Sequence, residues 1–330
     1  MRKIVASLAA LIAAVSGFFV ISGYKIDGLD QIKLVRQENA APVDPGGWPD
    51  GSPPPPANPG ETIRVATFNI QVFGTSKSQK PAVMDILARI VRQFDIVAVQ
   101  EIRAIDQDIL PNFVELINAP GLYYDYVIGP RLGRTVSKEQ YAFIFNQATI
   151  EVDRQQLYTV NDPEDLLHRE PLVGWFRARG PAPEQAFTFS LINIHTDPDE
   201  TDQELDILDD VFRVVQRDGR GEDDVILLGD LNVDDRHLGQ LGQVSGITWT
   251  ISGVPTNTRG TAQYDNILFD SRATQEFTGR AGVFDFMRQY NLTIDEANEV
   301  SDHLPIWAEF SVFEGGRIGQ VATRPTDVPR

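Results

Sequence analysis

The sequence predicts a layered α/β domain with mixed β-sheets. Apolar residues first follow a strand, helix, strand order, and later strand patterns follow one another directly, as they do when α/β layers contain mixed sheets. The chain has 330 residues, of which 42% are hydrophobic and 23% charged. That composition is globular, and at about 150 residues per domain the length allows one large or two ordinary domains. Wholesale disorder, collagen and multi-span membrane architectures are excluded.

Residues 1–24 are predicted to be a signal anchor or a signal peptide. Arg2 and Lys3 precede an uncharged run at residues 4–24, and at 1.5 Å per residue such a run can span a bilayer of about 30 Å. Small residues near the end of the run leave signal-peptide cleavage open, and a buried core helix is a third alternative. Either targeting signal predicts export, so we expect a membrane-anchored extracytoplasmic domain or a secreted protein.

Two segments of low complexity delimit a single domain at residues 61–314. Residues 25–60 are rich in proline and glycine, with four consecutive prolines at 53–56, which predicts an extended polyproline linker. Residues 315–330 are predicted to form a flexible tail.

Apolar periodicity predicts the elements of that domain in order. The predicted strands cover residues 63–69, 96–99, 123–128, 141–145, 187–194, 225–228, 266–269 and 305–312. The predicted helices cover residues 83–94, 105–116 and 201–215. Thr201 and Glu204 lie three residues apart at the start of the last helix, a spacing that predicts a capping box.

Cysteine content and net charge exclude several function classes. The chain has no cysteine, so disulfide frameworks, thiolate zinc sites, iron–sulfur clusters and cysteine nucleophiles are ruled out. The 47 acidic and 29 basic residues give a net charge of −18, which argues against a broad basic surface for nucleic acid. A metal-dependent enzyme that meets phosphates at one small site remains allowed.

Polar residues cluster where predicted strands end, which is where α/β folds place their sites. They are Asn69, Glu101, His195, Asp230, Asn232, Asp265, Asp302 and His303. Each one alone could be a turn former, a solvated carboxylate or a half-buried histidine. Two of the four histidines lie at strand ends, however, which makes the set informative. His168 and His237 have no such setting and are expected at the surface.

These residues fall in six ordered motifs that resemble the endonuclease/exonuclease/phosphatase superfamily. The motifs are Thr67-Phe68-Asn69, Val99-Gln100-Glu101, Ile194-His195, Gly229-Asp230-Leu231-Asn232, Tyr264-Asp265 and Ser301-Asp302-His303-Leu304-Pro305. Three further stretches resemble the deoxyribonuclease I branch. They are Phe68-Asn69-Ile70-Gln71-Val72-Phe73-Gly74, Leu132-Gly133-Arg134 with Lys138-Glu139-Gln140-Tyr141, and Arg169-Glu170-Pro171. The chain departs from that branch in lacking its cysteines and in having Gln71 and Ser137 where relatives have an arginine and a tyrosine.

The resemblance implies a four-layer α/β sandwich, with two mixed β-sheets packed face to face and helices outside. It also implies metal-dependent hydrolysis of a phosphodiester. The implied catalytic residues are His303 with Asp265 as general base pair, His195 with Glu139 as general acid pair, Asp230 to position water or a metal, and Asn232 to contact the phosphate. The implied metal ligands are Glu101, Asp302 and Asn69, which suit Mg²⁺ or Mn²⁺. The implied substrate-binding residues are Arg103, Arg134 and Arg169, and Asp165 with Glu170 could form a structural Ca²⁺ site.

The resemblance therefore favours a deoxyribonuclease I-like endonuclease with little sequence specificity. Its substrate would be nucleic acid, DNA rather than RNA, and a monomer is the default for an oligomeric state that the sequence leaves open. One alternative is another phosphodiesterase or phosphatase of the superfamily that acts on lipid headgroups or nucleotides. A second alternative is a non-catalytic surface binding module, which the presence of both histidines and every site carboxylate disfavours.

Overall fold

The computed structural model of the protein describes residues 33–36, 60–135 and 138–316. The strands in these ranges are β1 (Lys33–Arg36), β2 (Thr62–Phe73), β3 (Ile96–Ile102), β4 (Tyr124–Ile128), β5 (Gln140–Asn146), β6 (Ile150–Asn161), β7 (Leu172–Ala178), β8 (Thr188–His195), β9 (Val225–Asp230), β10 (Ile247–Trp249), β11 (Asp265–Asp270), β12 (Phe277–Val283) and β13 (Ile306–Ser311). The helices are α1 (Thr75–Ser78), α2 (Pro81–Val91), α3 (Ile109–Asn118), α4 (Thr201–Gln216), α5 (Phe286–Gln289) and α6 (Ile294–Val300), with a 3₁₀ turn at Leu241–Gln243.

The strands form two mixed sheets. Sheet A has seven strands in the order β1-β6-β7-β8-β9-β11-β10, and sheet B has six in the order β12-β13-β2-β3-β5-β4. Each sheet contains one parallel pair, β8 with β9 in sheet A and β2 with β3 in sheet B. The carboxyl ends of these parallel strands supply candidate site residues from both sheets, among them Glu101, His195 and Asp230.

Three apolar cores separate four layers. Leu87 of α2 and Phe113 of α3 pack against the outer face of sheet B, and Phe212 of α4 packs against the outer face of sheet A. Between the sheets, the rings of Phe143 on β5 and Phe176 on β7 meet edge to face with centroids 5.2 Å apart. This arrangement confirms the predicted four-layer sandwich with helices outside.

Apolar periodicity fails to predict five strands: β1, β6, β7, β10 and β12. β10 and β12 are edge strands, and neither contains a buried residue. Because periodicity reports a buried face, an edge strand without one leaves no such signal. β6 contains charged residues such as Glu151 and Arg154, and these interrupt the apolar periodicity by which a strand is predicted.

The predicted capping box at Thr201 and Glu204 is wrong. The residue before α4 is Glu200, which makes no side-chain cap, and the Thr201 hydroxyl instead donates to the Asp197 carbonyl. The Glu204 carboxylate is buried and accepts the backbone N–H groups of His168 and Asp197. The capping box that the structure contains joins Thr293 and Glu296 at the start of α6. The predicted helix at 105–116 begins only at Ile109, because Ile105 lies in solvent.

The domain boundaries stay a prediction. β1 lies inside the predicted linker and pairs antiparallel with β6, with Leu34 opposite Val160. The predicted targeting segment at residues 1–24 and all but residues 315–316 of the predicted tail lie outside the described residues. In the described part of the chain, every helix is too short or too polar to span a bilayer.

Candidate active site

The predicted site residues meet at one end of both sheets. His195 and Asp230 end the parallel strands β8 and β9 and lie opposite each other in the register. Asp265 starts β11, which runs antiparallel to β9, so it lies opposite Asp230. In sheet B, Glu139 directly precedes β5 and His303 lies three residues before β13. Strand direction in the two sheets therefore delivers residues distant in sequence to one place.

The first imidazole pair joins His195 to Glu139. The Nδ1 atom of His195 lies 2.9 Å from Oε1 of Glu139, whose side chain is 1% exposed. Burial alone would lower the pKa of His195, but the charges of Glu139 and Asp230 outweigh it and raise that pKa. Burial would raise the pKa of Glu139, and His195, Arg169 and Arg103 reverse this and lower it. A buried carboxylate on Nδ1 directs Nε2 toward the cleft.

The second pair joins His303 to Asp265. Nδ1 of His303 lies 3.0 Å from Oδ2 of Asp265, and the Thr256 hydroxyl donates to the same oxygen at 2.6 Å. Burial opposes a charged imidazole at His303, but Asp265 and Asp230 raise its pKa to about 10. Without a further positive charge nearby, the imidazole therefore keeps its proton at neutral pH.

Asp230 lies between the two imidazoles. Its Oδ2 atom is 3.5 Å from Nε2 of His195 and 3.5 Å from Nε2 of His303. Asn69 donates its side-chain amide to this oxygen at 3.0 Å. Burial would raise the pKa of Asp230, but the two histidines outweigh burial and lower it. The site thus holds an ionised carboxylate flanked by two imidazoles, one from each sheet.

The three predicted metal ligands lie around the same cleft. Glu101 lies on β3, which pairs with the strand of Asn69, β2. Its Oε1 lies 3.4 Å from the Asn69 amide nitrogen. Asn69 turns its oxygen away, toward the backbone N–H of Gln71 at 2.8 Å, so in this structure it orients carboxylates and does not present a ligand oxygen. Asp302 is half exposed, with Oδ1 3.9 Å from Nε2 of His303. Within the described chain, ligand atoms of Asp230, Asp265 and His303 also gather within 4.8 Å of one another.

The three predicted substrate-binding arginines have different surroundings. Arg103 is 29% exposed and lies 3.0 Å from Glu101 and 3.9 Å from Glu139, at the cleft. Arg134 is equally exposed and pairs with Asp165 at 3.1 Å. Asp165, which the sequence suggested as a ligand of a structural Ca²⁺ ion, thus forms an ion pair with Arg134.

Arg169 is buried, contrary to its expected role in substrate binding. It is 5% exposed and donates to the backbone carbonyls of His195 and Thr196, each at 3.1 Å. Its Nε also lies 3.4 Å from Oε1 of Glu139. Its guanidinium is instead bonded to a carboxylate and two backbone carbonyls inside the fold. Arg169 therefore helps to position His195 and Glu139 without reaching the cleft.

Unusual backbone geometry surrounds the site. Glu101 and Asn232 have φ values of 61° and 53°, a left-handed conformation that costs free energy in residues other than glycine and that clusters at active sites. A Cβ on Gly229 would lie 1.8 Å from the carbonyl oxygen of Ile194 on β8. Glycine at 229 therefore permits the close approach of β8 and β9.

Asn232 and the two remaining histidines complete the predicted set. Asn232 lies beside the cleft and donates its side-chain amide to the Thr196 carbonyl at 2.8 Å. His168, expected at the surface, is 9% exposed because it packs beside Asp197, with Nδ1 3.4 Å from that carboxylate. His237 is exposed as expected, and it contacts Asp234.

Sequence reasoning missed several residues that hold the site together. The Lys77 ammonium is buried, which lowers its pKa to about 8, and it donates to the backbone carbonyls of Ile70 and Val300. The Tyr141 hydroxyl accepts from the backbone N–H of His195 at 3.0 Å. Tyr141 falls in a quoted motif, whereas no pattern singles out Lys77, a surface-type residue in an ordinary Ser/Thr-rich turn.

An open cleft leads to His303. It has a volume of about 420 Å³, and Gln71, Arg259, Asp302 and His303 are among its lining residues. Arg259 is exposed on the loop between β10 and β11. This arginine was also missed, because a single arginine in an Asn-Thr-Arg-Gly turn resembles any solvated loop residue.

The chain is similar to curated nucleases over most of its length. Residues 66–303 match the endonuclease/exonuclease/phosphatase family. Deoxyribonuclease gamma of Rattus norvegicus is 31% identical over 262 residues, covering 74% of this chain and 83% of that protein. Deoxyribonuclease-1-like 1 of Sus scrofa is 33% identical over 267 residues, covering 76% of this chain and 82% of that protein.

Solved structures show the same fold at low identity. Humanized D. rerio TDP2 with 14 mutations has a TM-score of 0.52 at 13% identity, covering 76% of this chain and 100% of that chain. The catalytic domain of human Nocturnin with a bound sulfate anion has a TM-score of 0.52 at 15% identity, covering 88% and 100%. Together with the family match over residues 66–303, the four-layer sandwich establishes that this chain belongs to the endonuclease/exonuclease/phosphatase family.

Proposed function

We propose that the protein is a divalent-metal-dependent endonuclease of deoxyribonuclease I type that cuts DNA with little sequence preference. The observation that carries the proposal is the placement of Asp230, one of whose oxygens lies 3.5 Å from Nε2 of both His195 and His303. Relatives named deoxyribonuclease gamma and deoxyribonuclease-1-like 1 support DNA as the substrate.

The two imidazole pairs suit opposite ends of a phosphodiester. Hydrolysis needs a water that loses a proton and a leaving oxygen that gains one. His303, oriented by Asp265 at 3.0 Å, accepts the proton of the attacking water. His195, oriented by Glu139 at 2.9 Å, donates a proton to the leaving 3′ oxygen. Asp230 positions the water between them, and the Asn232 amide supplies donors to the phosphate.

The donor set suits a hard divalent cation. The Oε1 atom of Glu101 accepts a long hydrogen bond of 3.4 Å from the Asn69 amide, and Asp302 presents a half-exposed carboxylate on the cleft. Oxygen ligands of this kind select Mg²⁺ or Mn²⁺. When bound by Glu101 and Asp302, the ion would neutralise phosphate charge and oppose protonation of His303.

Substrate contact falls to the exposed arginines. Arg103 lies at the cleft beside Glu101, and Arg134 presents a partly exposed guanidinium. Guanidinium groups recognise phosphate through paired donors. Arg259 lines the cleft next to His303 and adds a third phosphate contact, in place of the buried Arg169.

A cleavage assay tests the proposal. The purified protein is incubated with plasmid DNA, RNA, a sphingomyelin emulsion and a phosphoinositide, each with Mg²⁺, with Mn²⁺ or with EDTA. We expect nicking of plasmid DNA with either metal ion and none in EDTA. Full DNA cleavage in EDTA, or hydrolysis of a lipid substrate without DNA cleavage, would contradict the proposal.

We also propose that the domain is exported, either anchored to a membrane or secreted. The uncharged run at residues 4–24 after Arg2 and Lys3 supports this, because about 20 apolar residues suffice to span a bilayer. Cell fractionation of the full-length protein tests it. An anchor resists extraction by salt, a secreted form starts near residue 20, and a full-length protein in the cytosol would contradict export.

A further inference from the structure

A second acidic cluster lies at the end of the sandwich opposite the active site. Asp224 directly precedes β9, whose other end carries Asp230, and Glu314 follows β13, whose preceding loop carries His303. Six strand residues at about 3.3 Å each separate Asp224 from Asp230 by about 20 Å. The cluster is therefore distinct from the catalytic cleft.

The cluster brings three carboxylates from both sheets together. One oxygen from each of Asp224, Glu276 and Glu314 lies within 4.8 Å of the others. Asp224 belongs to sheet A, whereas Glu276 and Glu314 flank β12 and β13 of sheet B. Glu314 also accepts the backbone N–H of Thr188 on β8 at 3.2 Å. The three carboxylates thus meet across the interface between the sheets.

Two of these carboxylates are buried with an oxygen that has no partner. Asp224 and Glu276 are each 2% exposed. Within the described residues, Asp224 Oδ1 and Glu276 Oε2 have no hydrogen-bond donor. Buried polar atoms are nearly always paired, and an unpaired carboxylate oxygen is costly. Both atoms belong to carboxylates of the cluster, so a ligand that binds there would pair them.

The charges around the cluster specify a cation. The charged groups that act most strongly on Asp224 are Glu276, Glu222 and Glu314, all of them acidic. Thr274 adds a buried hydroxyl beside Asp224. Donors that are all oxygen, with several carboxylates, are the ligand set of Ca²⁺.

We propose that Asp224, Glu276 and Glu314 bind one Ca²⁺ ion that fastens sheet A to sheet B at the end remote from catalysis. The chain has no cysteine, so no disulfide can make such a link. An ion held between the sheets would supply this cross-link and would offset the repulsion among the carboxylates. It binds the native state selectively, because only folding brings these three residues together.

Thermal unfolding of the full-length protein tests the site. After removal of metal with EDTA, addition of saturating Ca²⁺ should raise the melting temperature by about 5 °C or more, the shift expected for a ligand at 100 times its Kd on a domain of this size. Glu276→Gln should abolish this rise and, by removing one repelling charge, should melt no lower than the wild type in EDTA. Its Mg²⁺-dependent DNA cleavage should be unchanged.

Glu101→Gln is the matched control, since it removes a carboxylate from the active site and leaves the second cluster intact. It should keep the Ca²⁺-dependent rise in melting temperature. Equilibrium dialysis with radioactive Ca²⁺ should show one bound ion fewer in Glu276→Gln than in the wild type, and Asp224→Asn should match Glu276→Gln. The same Ca²⁺ response in Glu276→Gln and the wild type, or no response in the wild type, would overturn the proposal.

Discussion

At the scale of single residues, the site depends on two buried carboxylates, each of which forms a hydrogen bond with one ring nitrogen of an imidazole. Glu139 and Asp265 bond the Nδ1 atoms of His195 and His303, which leaves each Nε2 facing Asp230. A carboxylate in this position keeps the tautomer and orientation that proton transfer requires. Both imidazoles are therefore held through Nδ1 and present Nε2 to the same carboxylate.

Replacement of either histidine tests those roles. His195→Ala and His303→Ala should each reduce the turnover number by at least about 100-fold, the usual loss for a positioned proton-transfer group. His237→Ala is the control, because that histidine is exposed and its Nδ1 atom contacts Asp234. Steady-state kinetics on plasmid DNA, with circular dichroism to verify folding, make the comparison. Near-wild-type turnover in a folded His303→Ala variant would remove this residue from the mechanism.

Removal of the Glu139 charge should change the pH profile. Glu139 raises the pKa of His195, and an acid catalyst is active only while protonated. The alkaline limb of kcat/KM should therefore move to lower pH in Glu139→Gln, by about one unit. The control is Glu151→Gln, which alters an exposed pair with Arg177. Profiles measured between pH 5 and 10 that coincide for the Glu139→Gln variant and the wild type would show that Glu139 does not act through His195.

The sequence predicts which residues meet, but it does not predict how each side chain is turned. Strand-end position and ordered motifs were enough to select His195, Asp230 and His303. They could not show that Asn69 directs its amide nitrogen at the carboxylates, or that Arg169 lies inside the fold. Both outcomes follow from hydrogen-bond partners on other strands, which a linear pattern does not contain.

At the scale of secondary structure, the parallel pair β8–β9 is the most constrained element of the site. A Cβ at Gly229 would clash with the Ile194 carbonyl at 1.8 Å, and its φ of 155° also disfavours other residues. Gly229→Ala should destabilise the protein by about 3 kcal/mol or more through overpacking and backbone strain. Gly282→Ala is the control, since Gly282 also lies in a strand and its nearest contact is 3.5 Å away.

Chemical denaturation followed by circular dichroism measures both variants. The Gly229→Ala variant should unfold at markedly lower denaturant or fail to accumulate as folded protein, and Gly282→Ala should stay close to the wild type. Equal stability of the two variants would mean that β8 and β9 are farther apart than the structure places them.

Most elements with a buried face were predictable, with β6 and β7 as exceptions, and edge strands without a buried residue were not. The strands at β2, β3, β8 and β9 follow from apolar runs, because each is covered on both faces. The edge strand β12 has no buried residue and gives no periodic signal. The capping-box error has a related cause, since Glu204 pairs with backbone groups of another loop, and tertiary contacts there override the local motif.

At the scale of the whole molecule, the net charge of −18 opposes the approach of a polyanion. Contact with DNA must then come from a few arginines at the cleft. Because each arginine that neutralises a phosphate releases counterions, the affinity for DNA should fall as the salt concentration rises. The initial rate on long DNA should fall by about tenfold or more between 50 and 200 mM monovalent salt, for roughly two to three neutralised phosphates.

Arginine variants locate the source of that salt dependence. Arg134→Ala should raise KM and make the cleavage rate less dependent on salt concentration, because one phosphate contact is lost. Arg280→Ala, which removes the ion pair between Arg280 on β12 and Glu309 on β13, should leave both KM and the salt dependence unchanged. A rate that does not respond to salt in the wild type would show that substrate capture does not depend on these charges.

Each imidazole pair takes one member from each sheet: Glu139 and His303 belong to sheet B, and His195 and Asp265 belong to sheet A. Neither sheet alone contains a complete acid or a complete base. Enzymatic activity is therefore an all-or-none reporter of the folded state, and its loss during denaturation should coincide with global unfolding. We therefore expect a newly made or partly unfolded chain to hydrolyse no substrate until the two sheets have packed together.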